Sequence, residues 1–165
     1  MAQRTTTQPA AAFELLGRRY THWKGQIADG PAAAARLARA AISDNPTGQT
    51  FAVYLDSNLR VLGWATVARN FVTAAYLSSR EVFLPGVKLG ADAFYLVRRH
   101  SDGSTDPTTS ERLIAARLSS DGDRIGVPML DHILLGNGSA YSSRCEDDIA
   151  RGRPLPPLPA AEGLR

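Results

Sequence analysis

The stretch from Phe94 to Leu118 constrains this chain more than any other. It reads Phe-Tyr-Leu-Val-Arg-Arg-His-Ser-Asp-Gly-Ser-Thr-Asp-Pro-Thr-Thr-Ser-Glu-Arg-Leu-Ile-Ala-Ala-Arg-Leu. Its first residues are aromatic and branched and end at charge, which predicts a buried strand. A loop dense in Ser, Asp, Gly and Thr follows. Thr108-Thr-Ser-Glu111 then spells a capping box. In that motif the Thr108 hydroxyl accepts from the Glu111 amide, and the Glu111 carboxylate reaches back to the Thr108 amide. A strand therefore delivers His100 to its end, and a helix starts beside it. Open α/β sheets place their sites at such strand ends.

The flanking sequence supplies layers for that unit. Phe13, Leu16, Tyr20 and Trp23 recur at helical spacing, so Ala11 to Lys24 is expected to be an amphipathic helix. His22, beside Trp23, reads as structural rather than as a ligand. Pro31 opens a second helix over Ala32 to Ile42, where a missing amide costs nothing. Thr50 to Asp56 and Leu59 to Val67 form a hairpin about Ser57-Asn58, and Phe71 to Leu77 is another strand. Ser78-Ser-Arg-Glu81 is a second capping box, and Pro85-Gly86 should kink or stop its helix after two turns. The helix from Thr108 is expected to end at Asp121-Gly122. Ile125 to Leu135 is the last long strand, with Pro128 breaking its early part. Gly136 to Ser139 is a turn, and Ala140 to Ser143 a short terminal strand. The order α-α-β-β-β-α-β-α-β-β predicts helices flanking a sheet, an α/β or α+β chain in three layers.

With 165 residues the chain is expected to hold one domain. Residues 1–10 read as a disordered N-terminus and 11–48 as a helical region. Residues 49–145 carry the sheet, and 146–165 form a Pro-rich tail around Arg153-Pro-Leu-Pro-Pro-Leu-Pro159. No apolar run approaches ~18 residues, which excludes a membrane-spanning helix. The N-terminus lacks the apolar core of a secretory signal. A single cysteine, Cys145, cannot form an internal disulfide and fits a reducing, cytoplasmic setting. A net charge of +3 is mild. Arg18, Arg19, Lys24, Arg36 and Arg39 make the first two helices basic. Such residues usually form a solvated face, and the sharper reading is a contact with nucleic acid or an acidic protein partner. The Pro-rich tail offers a further peptide-type contact.

His100 at a strand end and Glu111 on the next helix make half a metal site, with Asp102 and Asp106 in the loop between. A zinc hydrolase needs about three protein ligands, an open position for water and a general base. A second His two positions before His100 would share its strand face. Position 98 is Arg instead.

The segment from Phe51 to Ser143 resembles the RadC-type branch of the JAB/MPN (JAMM) domain family. That branch carries His-x-His-Pro-Ser-Gly followed by Pro-Ser-x-x-Asp. Arg98-Arg-His100-Ser-Asp-Gly103 and Pro107-Thr-Thr-Ser-Glu111 occupy those positions without gaps. Ser79-Arg-Glu-Val-Phe83 resembles the family's helix start. Gly126-Val-Pro-Met-Leu-Asp-His-Ile-Leu-Leu-Gly136 is close to its Gly-x-Leu-Leu-Asp-His-Ile-Ile-Ile-Gly strand. The resemblance implies a cytidine-deaminase-like α-β-α sandwich with a mixed sheet. It also implies hydrolysis of a peptide or isopeptide bond by zinc-bound water, with two His and one Asp on the metal and an upstream Glu as base.

The chain departs from that pattern at most of the implied positions. Arg98 replaces the first His, Glu111 the Asp and Thr108 the Ser, and only His100 is unchanged. Gly63-Trp-Ala-Thr-Val67 offers no acid where the base is expected. A guanidinium does not deprotonate in proteins and cannot ligate zinc. The expected site is therefore a degenerate one lined by Arg98, His100, Asp102, Thr108 and Glu111, with Arg98 paired to Glu111 and no cofactor. Asp131 and His132 are expected to be hydrogen-bonded core residues. The function this implies is a catalytically inactive binding or scaffold module, in a DNA-related context, partnered by protein or a nucleic-acid complex, and able to form a homo-oligomer. The alternative is a zinc-dependent hydrolase with a rearranged ligand set built on His100 and Glu111, with Asp102 or His132 as a further member.

Overall fold

The computed structural model describes residues 24–42, 48–68, 77–100, 102–137, 139–143 and 147–148. In order these form α1 (Pro31–Ile42), β1 (Thr50–Leu55), β2 (Val61–Ala68), α2 (Ser79–Leu89), β3 (Ala93–Arg99), α3 (Thr109–Ile125), β4 (Met129–Leu135), β5 (Ala140–Ser142) and β6 (Asp147–Asp148). The strands join one mixed sheet in the order β2-β1-β3-β4-β5-β6. β1 runs antiparallel to both neighbours, so Val53 stands between Trp64 on β2 and Tyr95 on β3. β3 and β4 are parallel, with Val97 opposite Ile133. A parallel pair needs a crossover, and α3 provides it.

Strand side chains alternate between faces, and the two faces build two cores. Phe51, Val53, Leu55, Tyr95, Val97, Ile133 and Leu135 pack with the small residues of α1, Ala34, Ala35 and Ala38. Ala52, Tyr54, Phe94 and Leu96 pack on the opposite face with Val82 and Phe83 of α2 and Ile114 and Leu118 of α3. The fold is thus a three-layer α-β-α sandwich. β1 and the first five residues of β3 are buried throughout, which is why both read as unbroken apolar runs rather than as alternation.

Several element boundaries differ from the sequence expectation. The return strand of the hairpin starts at Val61, not Leu59. Leu59 takes a positive φ of 59°, and Asp56 Oδ1 accepts from the amides of Asn58 and Arg60, which widens the turn. The second capping box does not form: Ser78 is the N-cap but its side chain makes no capping bond. The start of α2 is tied instead by the Ser79 hydroxyl, which donates to Asp121 Oδ2 at 2.6 Å. Nor does α2 stop at Pro85. It continues to Leu89 and closes on Gly90 in the left-handed region. Pro85 costs one amide bond to the carbonyl of exposed Glu81, while burial of Val82, Phe83 and Gly86 holds the helix to the sheet.

α3 runs past Asp121-Gly122 to Ile125, where Gly126 caps it. Gly122 serves close approach instead, since a Cβ there would lie 2.7 Å from the Val127 carbonyl. The last long strand accordingly begins at Met129, after the turn, and not at Ile125. Of the expected tail, Asp147–Asp148 form β6 beside β5; residues 149–165, 11–23 of the expected first helix with His22, and 71–76 of the expected third strand lie outside the described residues. Lys24 is in a turn, and Leu77 is buried but not in a strand.

Candidate functional site

The site lies where β3 ends and α3 begins. Alternation along β3 puts Arg98 and His100 on the face that carries Phe94 and Leu96, the face covered by α3. The capping box at the start of α3 then fixes Glu111. Thr108 Oγ1 accepts from the Glu111 amide at 3.2 Å, and the Thr108 amide donates to Glu111 Oε2 at 2.8 Å. The Thr108 hydroxyl donates to the same oxygen, also at 2.8 Å. This arrangement turns the carboxylate inward, and Glu111 is only 3% exposed.

The other carboxylate oxygen faces the strand. His100 Nε2 lies 2.5 Å from Glu111 Oε1 and is hydrogen-bonded to it. Arg98 Nε lies 3.0 Å from the same oxygen, close enough for an ion pair but not aligned as a hydrogen bond. Burial alone would raise the pKa of Glu111. The Thr108 amide, His100 and the Thr108 hydroxyl outweigh it, helped by the charge of His100, and hold the carboxyl below its ordinary range. Glu111 is therefore an ionised acceptor already occupied on both oxygens.

The loop between strand and helix is braced by backbone. Gly103 adopts a φ of 74°, and its carbonyl accepts from the Asn137 amide at 3.3 Å. A Cβ at Gly136 would come within 2.5 Å of that carbonyl. The Gly136 amide in turn donates to the Ser139 carbonyl at 2.9 Å, and Arg39 of α1 donates to the same carbonyl. Ser104 Oγ lies 3.4 Å from His100 Nδ1.

The structure brings together Arg98, His100, Thr108 and Glu111. It leaves Asp102 apart: that side chain is exposed and accepts from the Ser104 amide at 2.9 Å, shaping its own loop. Asp106 is exposed as well. His132 is buried on the same sheet face, opposite Leu96. Burial lowers its pKa to about 4; the Glu111 carboxylate opposes that shift, and Arg98 and His100 add to it. His132 is accordingly neutral at pH 7. Asp131 points to the other side of β4, where it accepts from the His132 amide at 2.8 Å, from Ser143 Oγ at 3.0 Å and from Ser142 Oγ. It fastens β5 to β4. The sequence expectation of a hydrogen-bonded core residue holds for Asp131, while its particular partners, Ser142 and Ser143, are not foreseen by it.

Of the basic N-terminal residues, Lys24 and Arg36 are exposed, whereas Arg39 is half-buried on the Ser139 carbonyl. Arg18 and Arg19 lie outside the described residues. Among the described residues no helix is long and apolar enough to cross a membrane.

Two of the described side chains at this site, His100 and Glu111, are of a kind that ligates a zinc ion, fewer than the three that such a site needs. Among the described residues no group of three His, Cys, Asp or Glu side chains could hold one. His100 and Glu111 are in direct hydrogen bond, and the guanidinium of Arg98 stands against the same oxygen as a fixed positive charge. A cation placed there would be repelled by that like charge at short range.

Residues 28–148 match the RadC-like JAB domain family. A UPF0758 protein of Chlorobaculum parvum is 26% identical over 145 residues, covering 87% of this chain and 65% of that protein. A UPF0758 protein of Finegoldia magna is 30% identical over 94 residues, 57% of this chain and 42% of that protein. A third, of Thermosynechococcus vestitus, is 29% identical over 136 residues, 81% of this chain and 54% of that protein. The chain thus spans less than two thirds of the length of each of these relatives.

Proposed function

This chain belongs to the RadC-like JAB domain family, and we propose that within it the chain is a non-hydrolytic member that works as a binding module. One observation carries the reading: Glu111 Oε1 is taken by His100 at 2.5 Å and by Arg98 at 3.0 Å. The guanidinium supplies, from within the chain, the positive charge that a metal ion would bring. It cannot polarise water into a nucleophile as a metal does. β2 carries no acid, and loss of a positioned general base lowers a hydrolytic rate by roughly 10²–10⁴-fold.

Recognition is proposed around this strand-end site rather than at the N-terminal helices. Among the described residues of that region, Lys24 and Arg36 are the exposed cations, while Arg39 is engaged on the Ser139 carbonyl. A DNA-related setting would then come through a protein partner.

The test is elemental analysis of the purified, tag-free protein with a zinc titration beside it. The expected result is no stoichiometric zinc and no binding in the micromolar range. Near-stoichiometric zinc that disappears in His100→Ala would overturn the reading and restore the hydrolase.

A further inference from the structure

Glu111 engages one of the two ring nitrogens of His100, and the other faces a serine. Nε2 is held at 2.5 Å by Glu111 Oε1. An ionised carboxylate accepts and does not donate, so the proton of a neutral ring sits on Nε2. That leaves the lone pair of Nδ1 as an acceptor, and Ser104 Oγ stands 3.4 Å from it. The Ser104 hydroxyl accepts from the Asp106 amide at 3.3 Å, which leaves its own proton to point at Nδ1. A hydroxyl against an imidazole whose far nitrogen is oriented by a carboxylate is the arrangement that activates a serine. Such pairs are often looser in a free protein than in its complex. The loop holds Ser104 there by backbone. Gly103 takes a φ of 74°, its amide donates to the His100 carbonyl at 3.3 Å, and the Ser104 amide donates to Asp102 Oδ1 at 2.9 Å. Ser104 is half-buried, not sealed in the core.

We propose that Ser104 is a nucleophilic acyl acceptor, with His100 as its general base and Glu111 as the residue that positions the base. The inference goes beyond the binding reading, since the step needs neither a metal nor an activated water. Oγ attacks the carbonyl carbon of an acyl donor and passes its proton to His100 Nδ1. The Oγ–C bond forms as the bond to the leaving group breaks. The leaving group keeps the electron pair, and the proton passes on to it or to solvent. Two observations narrow the donor. The amides of Gly103, Ser104 and Asp106 are engaged by the His100 carbonyl, Asp102 and Ser104 Oγ, so none of the three serves as an oxyanion donor. The donor must therefore carry a good leaving group, as a thioester or an aryl ester does, and a peptide bond stays intact. Asp102 and Asp106 stand exposed on the same loop and disfavour an anionic donor. The product is a chain acylated once, at Ser104.

The experiment uses the full chain in EDTA at about pH 8, where an ordinary imidazole is neutral. The probe is para-nitrophenyl acetate, and the acetylated residues are located and timed by fragment mass spectrometry. Ser110 and Ser120, both exposed on α3, are internal references. Ser104 should gain its acetyl group roughly tenfold faster or more than either reference, and should lose that preference when the chain is unfolded in urea. His100→Gln should slow acetylation of Ser104 by roughly 10²-fold, the lower end of what a positioned base contributes. The role of Glu111 is read separately from the imidazole nitrogen NMR shifts of His100, which should report a proton on Nε2 and a bare Nδ1.

Equal acetylation of Ser104 and the reference serines overturns the inference, as does a preference that survives in urea. So does an unchanged rate at Ser104 in His100→Gln, or a neutral ring with its proton on Nδ1. The comparison among serines and the ring shifts are read on the unaltered protein and so do not depend on any variant folding. The non-hydrolytic reading fails on a different result, stoichiometric zinc uptake in the titration above, so the two failures are distinguishable.

Discussion

Glu111→Gln keeps the shape of the buried carboxylate and removes its charge. The remaining oxygen can still accept from the Thr108 amide, now at 2.8 Å from Oε2, but the new amide nitrogen faces His100 and Arg98. Charge-assisted hydrogen bonds are roughly twice as strong as neutral ones, so the bonds from Thr108 and His100 all weaken. Arg98 meanwhile loses its counter-charge inside a largely buried side chain. Removing one partner of a buried ion pair costs about 3–5 kcal/mol, and the retained shape places this variant near 3 kcal/mol. In urea, with an m-value of about 2 kcal/mol/M, the midpoint should fall by roughly 1.5 M at unchanged m. The effect should depend on pH with a definite sign. The folded pKa of Glu111 is depressed, so its stabilisation is present above the unfolded value and is lost as pH falls through the folded one. The gap between wild type and variant should therefore narrow as pH drops below about 4.3. A gap under about 1 kcal/mol at pH 7, or one that persists unchanged to pH 3, would refute the account of Glu111 as an ionised, fully engaged acceptor.

His132 acts on a different part of the pH scale. Its folded pKa lies at about 4, below the ordinary 6.5, so the neutral core stabilises fully above 6.5 and loses roughly 3 kcal/mol as pH falls to 4. His132→Gln should flatten that limb in urea midpoints measured against pH, and an unchanged slope would count against burial as the cause. Gly86→Ala should destabilise, because its Cβ would sit 2.9 Å from the Tyr54 ring, whose hydroxyl donates to the Val82 carbonyl at 2.6 Å. Overpacking of about 1–3 kcal/mol exceeds the ~1 kcal/mol gained from helix propensity, so the melting temperature should drop, and a rise would contradict the close contact. Arg98→His removes the fixed cation and sets a second imidazole on the face of His100. Zinc affinity by competition titration should rise by roughly tenfold or more, and no gain would mean that more than Arg98 bars the metal.

The unit from Phe94 to Leu118 was legible because every local signal in it agrees. An apolar run, a loop with Gly and a capping box each form where the residues place them, and the box forms in full. The three layers follow from the same consistency. Illegibility has a common cause, which is tertiary contact overriding a local rule. Ser78-Ser-Arg-Glu81 has the letters of a cap, but Ser79 finds Asp121 instead. Pro85 and Gly122 are breakers in isolation, yet one sits in a helix held by its buried face and the other lets a returning backbone close in. At the site, alternation predicts that Arg98 and His100 share a face. It gives no sign that Asp102 turns back on Ser104, since short polar side chains choose between loop and cleft by geometry alone. The buried fastening of Asp131 to Ser142 and Ser143 depends on a strand pairing that no local pattern announces.

The brace behind the site has a consequence for how this chain can change. Gly103, Asn137, Gly136 and Ser139 hold the loop through amides and carbonyls, and Arg39 reaches a carbonyl as well. None of these bonds uses the side chains at 98, 100, 102 or 111. Brace and chemistry are therefore separable at Arg98 and His100, whereas Glu111 belongs to both, since it caps α3 while it meets the two strand residues. Positions 98 and 100 can change while the loop keeps its shape, but a change at 111 carries the start of the helix with it.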